Sequence, residues 1–162
     1  NSQSDIAGFI TDAIVSYASD AEVTVSAPFV TPPAKPDESV IGKKLKVQTA
    51  QSGKAALKSA ITANMNSQDP AGSAIASGIV AYAAASFTAF AAGAVTAAGA
   101  AVMAAPPALA SPLSAGRAEG SEDDVIDLMS TAIHASFLGT TFTGAGANAT
   151  AASAGAVVST LS

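Results

Sequence analysis

Large apolar residues return at helical spacing along three stretches of this chain. Ile6, Ile10, Ala13, Ile14 and Tyr17 share one face of a helix, and Val125, Met129, Ala132 and Ile133 share another. Ala56, Leu57, Ala60, Ile61 and Met65 predict a further helix over about Gln51 to Met65. The periodicity marks all three stripes as core-facing. Short β-prone runs stand at Val23–Val25, Phe87–Phe90, Thr140–Thr143 and Val157–Thr160.

Three of these features repeat. The segment from Asp5 to Tyr17 aligns without a gap on Pro70 to Tyr82, and more loosely on Asp124 to Ser136. Ile10, Ile75 and Met129 coincide, as do Ile14, Ile79 and Ile133, and each copy is followed by one of the β-prone runs. Helix starts are expected at Ser4, at Asp69 followed by Pro70, and at Ser121 with acids behind it. Asn64 to Gln68 turns the added helix into the second copy, which predicts a helical hairpin.

Prolines interrupt this pattern twice. Pro28, Pro32, Pro33 and Pro36 predict an extended arm over Pro28 to Glu38, and Pro106, Pro107 and Pro112 predict a second over Ala104 to Glu119. The expected fold class is therefore α+β, mostly helical, with three helix-to-short-strand repeats joined by Pro-rich arms. Its segments are 1–27, 28–50, 51–103, 104–120 and 121–162: a first unit, an arm with a basic segment, a hairpin with the second unit, a linker, and a third unit with a small-residue tail. Phe29, Val30, Leu109 and Leu113 are the large apolar residues on the two arms, so they are the candidate contacts to partner chains.

Composition changes this picture in one respect. Of the 162 residues 49% are apolar but only 5% aromatic, and alanine makes up most of the apolar share. Small side chains bury little area, at about 25 cal/mol per Å². A homo-oligomer, or a place as one of many copies in an assembly, is the expected remedy.

Charge and candidate chemistry narrow the function classes. The net charge of −5 argues against nucleic acid as the main partner. Lysines cluster from Lys35 to Lys58 and acids from Glu119 to Asp127, which reads as solvated surface or as docking faces for complementary neighbours. There is no cysteine, and His134 is the one histidine, so no catalytic triad or metal site takes shape around it. The acidic run Glu122–Asp124 with Asp127 lacks the glycine and closing glutamate of a calcium loop, and suits a helix start. Gln51–Lys54 lacks the upstream glycine and strand of a phosphate loop. No enzymatic activity, cofactor or metal is expected. Asn1 to Ser19 has neither the basic region nor the compact apolar run of a secretory signal. Ala74 to Ala105 is uncharged and long enough to span a bilayer, but its alanine, glycine and serine content and closing prolines argue against insertion.

Ile6, Ile10, Ala13, Ile14 and Tyr17, followed by Ala21, Val23-Thr24-Val25 and a Pro-rich stretch, form a pattern that resembles small structural proteins of tailed bacteriophages, of the tail and baseplate type. The resemblance covers Asp5 to Pro36 and Asp69 to Ala92. It implies a non-enzymatic virion component, made in the host cytoplasm, that joins or clamps other virion structural proteins. A capsid decoration or minor capsid protein is the alternative within that class, and a membrane-associated alanine-rich protein the alternative outside it.

Overall fold

The computed structural model describes residues 2–28, 38–119, 122–148 and 153–161. The chain is α+β, with five helices and a six-stranded sheet among the described residues. In chain order these are α1 (Gln3–Ser19), β1 (Glu22–Thr24), β2 (Lys44–Val47), α2 (Lys54–Ser67), α3 (Ser73–Ser86), β3 (Ala89–Ala92), β4 (Val95–Met103), α4 (Ala110–Glu119), α5 (Glu122–Leu138), β5 (Thr140–Asn148) and β6 (Ser153–Thr160). A single turn of 3-10 helix, Glu38–Val40, precedes β2.

The strands lie side by side in sequence order, each antiparallel to the next. The sheet curls until Val23 of β1 bridges Leu161, just past β6. Among the described residues, one two-residue turn and two pairs of helices serve as connections. Between β3 and β4 the turn is Gly93-Ala94, with φ of 60° at Gly93, a value that suits the primed turns of tight hairpins. Burial alternates along β4 and β5 with the period of a pleated strand: Val95, Ala97, Ala101 and Met103 face inward, and so do Thr140, Phe142 and Asn148.

The core draws its bulk from a few large residues. Tyr82, Phe87, Phe90 and Phe142 are fully buried, together with Leu45, Leu57, Ile61 and Ile79. Each contributes about 1.5–3 kcal/mol on burial. The rings form a connected series: Phe142 meets Phe90 at 4.8 Å between centroids, Phe90 meets Phe87, and Phe87 meets both Tyr82 and Phe137. The weakly buried, alanine-rich interior expected from composition is thus offset by placing the scarce aromatics at one centre. Many alanines instead stand on exposed helix and strand faces, such as Ala55, Ala56, Ala98 and Ala100.

Helix α3 sits at the middle of this arrangement, packed on α2 on one side and β4 on the other. Gly78 makes the α2 contact possible: a methyl group there would lie 2.5 Å from the Ala60 Cβ. The loop leading into α2 is tied to the C-terminal end of α3. The Tyr82 hydroxyl donates to the Ala50 carbonyl at 2.7 Å, the Gly53 amide to Ser86 Oγ at 2.9 Å, and Thr49 Oγ1 to the Ser86 carbonyl at 2.7 Å. Burial pushes the Tyr82 hydroxyl up to about 12.

Several expectations need correction. Ala104 to Glu119 is not an extended arm, because α4 begins at Ala110. Pro112 falls in its first turn, where an amide has no intrahelical acceptor and a proline costs nothing in hydrogen bonds. The first helix is capped by Ser2, whose hydroxyl accepts from the Asp5 amide while Asp5 returns the bond, so Ser4 lies inside the helix. The second copy's helix begins at Ser73 behind Gly72, not at Pro70, and the Asp69 carboxylate accepts from the amides of Ala71 and Ser73. Ser121 and residues 29–37 lie outside the described residues. The uncharged stretch Ala74 to Ala105 is divided among α3, β3 and β4, and among the described residues no helix is long and apolar enough to cross a membrane.

Candidate functional site

The face that α1 buries is not the one its large residues predict. Ala7, Thr11, Ile14, Val15 and Ala18 point inward, and the helix packs closely on α2. Small side chains permit that approach, and Lys58 of α2 reaches across to Gly8 while Lys54 pairs with Asp12 at 2.8 Å. Ile6, Phe9 and Tyr17 are left exposed, by 39%, 64% and 46%, with Ile10 half-buried beside them. Their spacing places them in one stripe along the helix.

That stripe ends at a meeting with α5. The Tyr17 ring stands edge-on to Phe137 at 5.6 Å and to His134 at 5.8 Å, and its hydroxyl is hydrogen-bonded to Nδ1 of His134. Partial burial raises the Tyr17 hydroxyl above its ordinary range. Here the two helix ends and Leu161 border a groove of about 310 Å³ lined by Tyr17, Ala18, Ala21, Phe137, Leu138 and Leu161, with Asp20 and His134 as its polar members. Such a groove can seat an apolar side chain and hold one polar group beside it.

From this contact two rows run back along α5. Ile126, Ile133 and Phe137 form one, and Asp123, Asp127 and His134 form the other, both at helical spacing. Ile126 is 62% exposed, and Asp123 and Asp127 are exposed as well. Among the described residues no three His, Asp or Glu side chains come together to hold a metal ion.

The residues singled out as partner contacts fare differently. Leu109 is fully buried and Leu113 half-buried, both against Gly72 ahead of α3, so Leu109 is spent on the core of this chain. Phe29 and Val30 lie outside the described residues. Of the lysine block, Lys44 pairs with Glu22 at 3.6 Å and Lys43 and Lys46 are exposed. Gly53 of the Gln51–Lys54 stretch spends its amide on Ser86, and a methyl group there would meet Ser86 and Tyr82 below 3 Å. What sequence reasoning missed is the Tyr17–His134 pair and the outward stripe. The signal lay in α1 itself, where Ala7, Thr11, Val15 and Ala18 make a second, smaller face opposite the large one.

No family model, no curated protein and no solved structure matches this chain.

Proposed function

We propose that this chain is a non-enzymatic structural protein of a tailed-phage virion, of the tail or baseplate kind, that joins or clamps neighbouring subunits and is present in several copies. The observation that carries this reading is the exposed stripe Ile6, Phe9 and Tyr17 on α1, met at Tyr17 by Leu138 of α5. Exposed apolar residues gathered into a patch, and not scattered singly, mark surfaces that a partner covers. The uncharged outer face of β4 and β5, with Thr96, Ala98, Ala100 and Val102 beside Thr141 and Thr143, offers a second surface for packing.

Internal repetition belongs to the same proposal. Helices α1, α3 and α5 each run directly into a strand of the one sheet, and Ile14, Ile79 and Ile133 all face their chain's core, the last of them half-buried. We read α1–β1, α3–β3 and α5–β5 as three copies of a unit that was duplicated to build a self-supporting scaffold. His134 is exposed and its contact with Tyr17 lies within the chain, so His134→Ala is expected to leave assembly intact.

The test is mass spectrometry and sedimentation of purified particles from the native host. Co-migration of this chain with intact particles, at fixed copy number through density gradients, is the expected result. Recovery only in the free cytoplasmic or membrane fraction would overturn the reading.

A further inference from the structure

We infer that the groove beside Tyr17 takes one aromatic side chain of a different protein, a tryptophan or tyrosine whose N–H or O–H is accepted by Asp20. The inference rests on the joining role proposed above and names the partner's chemistry. The groove measures about 310 Å³, at the lower end of the range for ligand sites, so it suits one ring and not a helix. Its lining includes three rings, Tyr17, His134 and Phe137, and Tyr17 stands edge-on to the other two. A further ring finds offset or edge-to-face partners there, which an aliphatic side chain cannot use. Ala18, Ala21, Leu138 and Leu161 complete an apolar lining that favours a large ring over water.

The polar members decide what the ring must carry. The Tyr17 hydroxyl and Nδ1 of His134 are spent on each other. Among the described residues the Asp20 carboxylate has neither a hydrogen-bond donor nor a cation beside it. It is exposed, so water serves it until an occupant covers the groove. A ring with one N–H or O–H then replaces that water, whereas a ring without a donor leaves the carboxylate unsatisfied.

A second copy of this chain cannot supply such a ring. The chain has no tryptophan and two tyrosines. Tyr82 is fully buried with its hydroxyl on the Ala50 carbonyl, and Tyr17 is itself a wall of the groove with its hydroxyl on His134. The donor-bearing ring therefore belongs to another protein. Tryptophan and tyrosine are also the residues that most often anchor an interface by filling a pocket.

The probes are N-acetyltryptophanamide and N-acetyltyrosinamide, titrated into the full isotope-labelled chain and followed by amide chemical shifts. The controls are the indole-N-methylated tryptophan amide, which keeps the ring and loses the donor, and N-acetylleucinamide, which has no ring. Both probes should bind with a Kd on the order of 1 mM and shift the amides of Ala18, Ala21, Leu138 and Leu161. Both controls should bind about fivefold more weakly or worse. Leu138→Ala, at an exposed position, should weaken the probes about threefold or more while the melting curve stays unchanged. Asp20→Ala should bring the tryptophan probe down to its methylated control, and Asp20→Asn, which keeps an acceptor oxygen, should preserve the preference. Equal binding of the controls would overturn the inference, as would shifts confined to another surface or a donor preference that survives Asp20→Ala in folded protein. So would sedimentation showing a dimer of this chain that the probes dissolve, since a second copy would then fill the groove. A chain that binds the probes but does not co-migrate with particles sinks the virion reading alone, and co-migration without probe binding sinks this inference alone.

Discussion

Gly99 and Gly144 face each other across β4 and β5, and neither position has room for a side chain. A methyl group on Gly99 would lie 2.2 Å from the Thr143 carbonyl oxygen, and one on Gly144 would lie 2.3 Å from that of Ala98. Both clashes are with backbone, which cannot swing aside. The pair lets the two strands close up at this point in the sheet. Gly99→Ala and Gly144→Ala should therefore each cost about 2 kcal/mol or more in urea unfolding. Gly93→Ala, in a turn with open space around it but a left-handed backbone, should cost only about 1 kcal/mol.

The crossing of α2 and α3 allows a complementary test. Gly78→Ala pushes a methyl group onto the Ala60 Cβ and should cost about 1–3 kcal/mol. Ala60→Gly alone should cost about 1 kcal/mol from helix propensity. Combined, the two exchange the methyl group between helices, so the double variant should be more stable than the sum of the single losses by about 1 kcal/mol. Strict additivity in denaturant midpoints would show that the helices do not meet at this point.

Leu109 separates a core role from a partner role. Leu109→Ala should destabilise the free chain by about 2–5 kcal/mol, and Leu113→Ala by less because it is only half-buried. A residue serving as an anchor on another protein would leave the free chain's melting temperature where it was.

Alkaline pH reports on Tyr82. Its hydroxyl is held protonated in the folded state up to about 12, because burial disfavours the phenolate, while in the unfolded chain it titrates near 10. The folded state then holds a proton that the unfolded state has released, so stability is full below pH 10 and falls as pH rises toward 12. The loss is on the order of 2 kcal/mol over that window. Tyr82→Phe should flatten the decline, at the expense of the bond to Ala50 at all lower pH values. An unchanged slope in the variant would place the titration elsewhere.

Much of the order of elements was legible in the sequence, and the failures have physical causes. The hairpin of α2 and α3 followed from Leu57, Ile61 and Ile79 at helical spacing, and β1, β3 and β5 from short β-branched or aromatic runs after each helix. β4 was hidden because its alanines and glycine have no strand preference of their own; it exists through pairing with β3 on one side and β5 on the other. β2 was hidden inside the lysine block, where only Leu45 and Val47 face inward. On α1, reading the larger residues as core was the natural choice and gave the wrong face. Close packing on α2 favours Ala7, Thr11 and Ala18, and size cannot be separated from direction when a helix is apolar on both sides. The same inversion conceals Tyr17 as a wall of the groove, since the stripe reading turns it inward.

The bridge between Val23 and Leu161 has a consequence for the time course of folding. During synthesis β1 leaves the ribosome early, followed by β2, α2, α3, β3 and β4, each able to pair or pack with an element already made. Phe137, Phe142 and Leu161, which complete the ring series and seal the sheet, arrive last. Contacts so distant in sequence form slowly, because most of the chain must already be in place before they are rewarded. Until they form, one edge of β1 and one edge of β4 expose open backbone amides and carbonyls. The nascent chain therefore passes through an interval in which its two free edges can join those of another copy, and the speed of translating its last third sets how long that interval lasts.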